Sequence, residues 1–407
     1  MLLTIAFALL VAALSVFLCS VLKSQGDISI AHSNLDSIRA CLSGEGSTIG
    51  QLLQERSRAN TRLLKAFRLS NTFVSGDEEV HSTFVTHAKG LLKDANKVGW
   101  RRFRDLATRA IEHEFESLDH GATLHFDVFI QSVCLRVILV GLLGVDASVE
   151  SFAQDDIATV TSHINHLWSL SKQPQDIPSH LLPNLSASLR RLVPDTDRYP
   201  NPVDFVIPSW ETLWRVVAIA VAHSSHDTGM SEAMSRLYAR PDIKTFNSEG
   251  SGVSPKNIVD ETMRMYPPSK HIGRMKLRPF ARLLPSFLIQ FIDTFTSDAL
   301  RQKVSADVNG VQQSIAIWGE DANTFNPSRF TNTGSSSLSK EQRDAHSYVF
   351  GGGPLRCIGA SWAPVAAAVM CSAVLSLTGE EQEEVRIVRG ETIGSRSGWG
   401  DWFVEKI

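Results

Sequence analysis

The segment Phe350-Gly351-Gly352-Gly353-Pro354-Leu355-Arg356-Cys357-Ile358-Gly359 fixes one cysteine inside a glycine-rich loop, and the loop opens onto an apolar stretch, Ala360 to Met370. Together they constrain the fold. Glycine permits φ > 0 and close backbone approach, so amide N–H groups can turn towards the sulfur and hold its negative charge. The apolar stretch reads as a helix behind the loop. A cysteine presented in this way is placed to offer a thiolate to a metal.

Cys357 is one of five cysteines, with Cys19, Cys41, Cys134 and Cys371, and none of them shows C-x-x-C metal spacing. Free thiols in a reducing compartment fit an odd number better than a disulfide framework does. The other four read as small buried hydrophobes. Lys and Arg number 40 against 43 Asp and Glu, a formal net charge of −3, and no long basic block occurs, which argues against nucleic acid as a partner. At 407 residues the chain has room for one large domain or two ordinary ones.

The first part of the chain suggests where it sits. From Met1 to Leu22 there is no charged side chain, and Lys23 follows at once. About 20 apolar residues in a helix span the roughly 30 Å hydrocarbon core. Residues 1–22 are therefore expected to form a single-pass anchor. With no Lys or Arg before them, residues 23–407 are expected on the cytosolic side, at the endoplasmic reticulum. The competing reading is a cleaved signal peptide, weakened by the missing basic n-region and small-x-small site. With the anchor retained, the sequon Asn184-Leu185-Ser186 faces the cytosol and stays unglycosylated.

Beyond the anchor the periodicity is helical. Leu52 to Leu69, Phe84 to Leu92, Trp100 to Phe115 and Phe126 to Leu143 repeat apolar residues at three and four, with Lys and Arg between them. Ser169 to Pro202, with its many prolines, reads as a surface excursion with one short helix at Leu185 to Leu192. Pro279 to Phe295 crowds apolar residues together and is expected to be an insertion docking to a membrane surface, or else an error in the gene model. Val385 to Phe403 alternates as short strands do.

Pro208-Ser209-Trp210-Glu211-Thr212-Leu213-Trp214 leads into Arg215 to Ala222, an apolar run long enough for a buried helix, whose ladder a proline can open by removing a donor. Glu-Thr here also suits an ordinary helix start, since an acid in the first turn favours the dipole. Glu261 and Arg264 share a helix face at i, i+3 and can pair, just before Tyr266-Pro267-Pro268. Ile317-Trp318-Gly319-Glu320-Asp321-Ala322 and Phe325-Asn326-Pro327-Ser328-Arg329-Phe330 come next, and then the cysteine loop. In this order the segments resemble the cytochrome P450 family, whose haem-binding signature F-x-x-G-x-R-x-C-x-G is matched at Phe350, Gly353, Cys357 and Gly359. Where the family has Arg or His this chain has Leu355, with Arg356 one place later. An earlier W-x-x-x-R, Trp100 with Arg104, is similar to the family's haem-propionate clamp.

The resemblance implies a mainly α fold with small β-sheets, the P450-like haem-thiolate fold, shortened on its N-terminal side. It implies heme b (iron protoporphyrin IX) with Cys357 as axial ligand, the cofactor being held by Phe350, Gly353, Arg356, Cys357 and Gly359. A thiolate ligand pushes electron density onto the iron and favours O–O cleavage. Glu211 and Thr212 match the acid and alcohol that relay protons to bound oxygen, although Pro208 and Ser209 stand where small residues are usual. Glu261, Arg264 and Arg329 would form a structural cluster fixing the meander before the cysteine loop. The expected activity is that of a fungal-type, membrane-bound biosynthetic monooxygenase. Its partners would be O2, NADPH-cytochrome P450 reductase and an apolar small molecule, terpenoid, steroid or polyketide-like. Two alternatives stand beside it: a haem-thiolate isomerase or dehydratase that needs no reductase, and a truncated relic without catalysis.

Overall fold

Local chemistry sets most helix ends. In the computed structural model, which describes residues 29–250, 252–295, 298, 300–331, 337–378 and 384–407, Asn34 opens α1 (Leu35–Ser43) by accepting from the Ser37 amide. Gly44, at φ 61°, closes that helix in the left-handed region. The expected anchor, residues 1–22, lies outside the described residues. α2 (Ile49–Ala59) starts in a capping box between Thr48 and Gln51, and Asn60 ends it. The periodic stretch 52–69 is therefore two helices, α2 and α3 (Thr61–Phe67). Asp77 caps α4 (Glu78–Val98), and Gly99 at φ 85° separates it from α5 (Trp100–Glu116).

The core rests on helices that lack a polar face, and such helices are stable only when surrounded. α6 (Phe126–Gly141) is buried along most of its length, and α15 (Ala363–Thr378) from Val365 to Leu375. Each large apolar side chain so buried contributes roughly 1.5–3 kcal/mol. α5, α10 (Leu213–Ser224) and α11 (Thr228–Ala239) all pack on α15, while α7 (Gln154–Leu170) lies against α8 (Leu181–Leu192). α8 starts four residues before the short helix expected at 185–192, because the Leu181 side chain is buried in the main core. Inside this core Arg136 pairs with Glu114 at 3.0 Å and donates to the carbonyl of Val149, so a wholly buried charge is neutralised where α5 and α6 meet.

α9 (Val203–Trp210) and α10 form one apolar rod, Val203–Ser224, interrupted at Glu211 and Thr212. It is the one helix among the described residues long and apolar enough to cross a membrane, yet 78% of its most apolar window is buried inside the protein. Pro208 in α9 cannot donate to the carbonyl of Asp204, and Asn71 Nδ2 takes that place at 2.8 Å.

Two small three-stranded sheets complete the fold. In the first, β1 (Ser29–His32) runs parallel to β4 (Arg301–Asp307), with Ser29 opposite Lys303, and β3 (His271–Leu277) pairs antiparallel on the other side of β4. In the second the order is β2 (Thr123–His125), β6 (Phe403–Lys406), β5 (Val385–Val388). The alternating tract after Val385 is strand only at its ends. Between β5 and β6 it is a loop held by Trp399 and Trp402, whose rings pack on Phe126. The segment between β3 and β4 is helical: a 3₁₀ turn, Pro279–Leu283, and then α13 (Ser286–Phe295).

Candidate functional site

The E-x-x-R helix α12 (Pro255–Met265) begins with Ser254 accepting from the Asn257 amide, and with Pro255 at a first-turn position where no donor is needed. Its last turn carries the charge cluster. Arg264 and Glu261 are both completely buried and pair at 2.6 and 2.8 Å. Arg264 also donates to the carbonyls of Gln312 and Ala322, each at 2.7 Å. Glu261 Oε1 further accepts from the Asn326 amide at 2.8 Å and from Arg329 Nε at 3.1 Å. The meander 312–330 is thus fastened to α12 by one carboxylate and one guanidinium with nearly all their bonding capacity filled.

α14 (Lys340–Ser347) carries that order on to the cysteine loop. His346 Nε2 contacts the carbonyl of Asp260 at 3.2 Å, and Gln312 Nε2 donates to the carbonyl of Ala345. Within the loop the Cys357 amide donates to Phe350 O at 2.9 Å. Gly351 and Gly353 take φ of 73° and 63°. A Cβ at Gly353 would lie 2.6 Å from Ser43 Cα and 2.9 Å from Leu42 O, so only glycine lets α1 approach. Gly351 sits against Ile272 of β3.

Cys357 as a residue is exposed. Close packing pushes its thiol pKa up, while the Gly359 amide and the Arg356 guanidinium pull it down. The upward push wins on balance, and the loop's own groups offset part of it. Arg356 itself is exposed and lies 6.0 Å from the Phe350 ring centroid. Cys41, Cys134 and Cys371 are buried, and burial pushes their thiols up, which leaves them inert. Trp362 joins the loop to α5 by packing on Trp100 and Phe103 at 5.7 and 5.3 Å. Arg104 turns elsewhere, donating to Asp105 and to Tyr238 O.

Two basic residues that the sequence reading passed over lie beside this loop's neighbours. Arg274 is two places beyond Ile272 on β3, hence on the same face, and is buried with its Nε unpartnered. Arg56 is also buried with an unpartnered Nε, and burial together with Arg274 brings its pKa down to about 10. Arg56 Nη2 donates to Thr72 and Arg274 Nη1 to the Gly273 carbonyl, so each keeps only its Nε without a partner, a buried donor that costs free energy. The chemistry of these groups suits a haem: a thiol that could ligate iron, and buried cations that could take carboxylates. The only sequence signal for Arg274 was its place just after Tyr266-Pro267-Pro268.

At the break between α9 and α10, Glu211 is buried and held by Arg396 from the β5–β6 loop and by Arg215 at 3.1 Å. Thr212 is half-buried and its hydroxyl makes no capping bond. Among the described residues no group of three His, Cys, Asp or Glu side chains could hold a metal ion.

No family model matches the chain. It is similar to a cytokinin hydroxylase of Arabidopsis thaliana, 25% identical over 166 residues, which are 40% of this chain and 28% of that protein. It is also similar to cytochrome P450 714A2 of the same plant, 28% identical over 170 residues, 42% of this chain and 26% of that protein. A further cytokinin hydroxylase of that plant is 25% identical over 148 residues, 36% of this chain and 25% of that protein. The chain thus spans about a quarter of the length of the curated relatives it matches. These similarities support the cytochrome P450 family, and the mainly helical fold with small sheets is P450-like. Because they come from a plant, they give the fungal-type expectation no support.

Proposed function

We propose that this chain is a haem-thiolate monooxygenase of the cytochrome P450 kind, acting on an apolar small molecule of the terpenoid, steroid or polyketide type. The observation that carries this reading is the cysteine loop: Cys357 at the open end of a buried apolar helix, its glycines closed against α1 and β3, braced through α14 by the Glu261–Arg264–Arg329 cluster. In the overall reaction one oxygen atom of O2 enters a C–H bond and the other leaves as water, consuming two electrons and two protons. When bound, haem supplies the activation of dioxygen at an iron made electron-rich by sulfur.

The remaining work falls to the chain's own side chains. Cys357 would hold the iron, whose positive charge would favour the thiolate, with the Gly359 amide and Arg356 acting in the same direction. Phe350, Gly353 and Gly359 shape the loop, and Arg274 and Arg56 would be the cations available to the cofactor's carboxylates. Thr212 Oγ1 holds a proton at the helix break. Glu211, the carboxylate beside it, would pass on a proton taken from solvent once Arg396 and Arg215 release it. NADPH-cytochrome P450 reductase supplies the electrons, and residues 1–22 keep the chain at the endoplasmic reticulum with the remainder in the cytosol.

The test is the reduced carbon monoxide difference spectrum of the purified chain beside Cys357→Ala. A red-shifted Soret band in the wild type alone supports the reading, whereas no haem in either would leave the relic. A second reading, an isomerase or dehydratase independent of reductase, draws support from the two arginines that occupy Glu211. Replacing Thr212 by Ala uncouples electron use from product in a monooxygenase, and unchanged coupling would favour the isomerase.

A further inference from the structure

We propose that Arg62, Lys172 and Arg396, gathered around Trp168 beside Glu211, form a subsite for the carboxylate of an amphipathic small-molecule substrate. This deepens the monooxygenase reading and rests on it for the chemistry, though not for the binding.

Distant parts of the chain bring cations to this place: Arg62 from α3, Lys172 just beyond α7, Arg215 from α10 and Arg396 from the β5–β6 loop. Among the described residues, Glu211 is the carboxylate that pairs with two of them, Arg215 and Arg396. Arg62 donates to Ser171 Oγ at 2.7 Å, and Arg396 to Asn165 Oδ1 at 3.0 Å, so both are oriented partly by neutral acceptors. Both guanidiniums also lie over the Trp168 ring, at 5.0 and 4.8 Å from its centroid.

Several cations meeting one carboxylate leave uncompensated positive charge, and in a half-buried site such charge is poorly screened. Burial lowers the pKa of Arg62, Lys172 and Arg396, and mutual repulsion lowers it further for Lys172 and Arg396. A bound anion would relieve this. Guanidinium groups favour carboxylates because paired N–H donors match the two oxygens. Lys172 is exposed, which puts the rim within reach of solvent, while Arg62, Arg396 and Trp168 are half-buried. An indole face beside paired guanidiniums suits a ligand with an anionic head and an apolar body. The subsite borders Glu211, and Thr212 is the next residue in the chain. A molecule tethered here by its carboxylate could direct its hydrocarbon part to the helix break.

Titration calorimetry of the full chain with decanoate and with methyl decanoate, each below its aggregation concentration, tests the subsite without requiring haem. Decanoate is expected to bind at least tenfold more tightly than the ester, and Lys172→Gln and Arg62→Gln to weaken decanoate several-fold while leaving the ester unchanged. Equal affinity for the two probes, binding of neither, or variants that bind decanoate like the wild type would overturn the proposal. Inorganic phosphate displacing decanoate at equal concentration would do so too, because it would mark a plain anion site. The carbon monoxide spectrum judges the other reading separately. Thiolate-ligated haem without a preference for carboxylate sinks only the subsite, and the preference without such haem sinks only the catalytic assignment.

Discussion

Glu261 and Arg329 are 68 positions apart in sequence, and Glu261 Oε1 accepts from Arg329 Nε at 3.1 Å inside a site that excludes water from the carboxylate. Arg264 pairs with the same carboxylate and is itself completely buried. The two arginines are unequal, because Arg264 also satisfies meander carbonyls while Arg329 shares its charge with Asp321 at 2.9 Å.

Arg264→Leu is therefore expected to cost roughly 3–5 kcal/mol, since it leaves a buried carboxylate short of its main partner. Arg329→Leu should cost about 1–3 kcal/mol, because Arg264 still neutralises Glu261. Urea unfolding of both variants gives the order, and equal losses would show that the cluster does not act as described.

Gly353→Ala should disturb the cysteine loop specifically. The new methyl would meet the backbone of Ser43 at 2.6 Å, at a φ of 63° that L-residues rarely adopt. Strain of this kind costs on the order of 1–3 kcal/mol. A lower melting temperature together with weaker haem retention is expected, and Gly46→Ala, where no atom lies within 4 Å, serves as the comparison at similar backbone strain. Identical behaviour of the two variants would remove the steric argument.

Acid should destabilise the protein partly through His223. The ring stacks on Phe325 at 3.6 Å, and burial, with Arg389 nearby, pushes its pKa from 6.5 down to about 4. Between those values the unfolded chain binds a proton that the folded chain refuses. The stability from neutral His223 is therefore complete above about pH 6.5 and is lost as pH falls towards 4, by roughly 2–3 kcal/mol. His223→Phe keeps an aromatic stack and should flatten that part of the curve. An unchanged slope between about pH 6.5 and 4.5 would assign the effect elsewhere.

The insertion between β3 and β4 should meet lipid. Leu283 is 86% exposed and Phe287 65%, with Phe280 and Phe291 also exposed. The insertion rejoins the sheet at Arg301, beside β1, whose Ser29 faces Lys303 and follows shortly after the uncharged residues 1–22. Large apolar side chains exposed on one segment fit a bilayer surface. For the full chain reconstituted in phosphatidylcholine vesicles, cleavage within 279–295 is expected to slow several-fold on lipid and to recover with Leu283→Asp and Phe287→Asp. Equal cleavage with and without vesicles would count against docking.

Much of the fold was legible because its cause is local. The i, i+3 spacing puts Glu261 and Arg264 on one helix face, the all-round apolar character of Ala363–Thr378 requires burial, and the glycines before Cys357 permit a loop that other residues cannot enter. The helical form of Pro279–Leu283 and Ser286–Phe295 was less legible, because a dense apolar run suits helix and strand alike. Other features were decided only in three dimensions. Arg396 lies 185 residues from Glu211, Arg104 turned to Tyr238 although its spacing from Trp100 suggested another role, and Arg274 and Arg56 approach one another from different elements. No periodicity connects such residues. Their meeting depends on how the helices pack around α15, and the balance of buried charge that results follows from that packing rather than from any one segment.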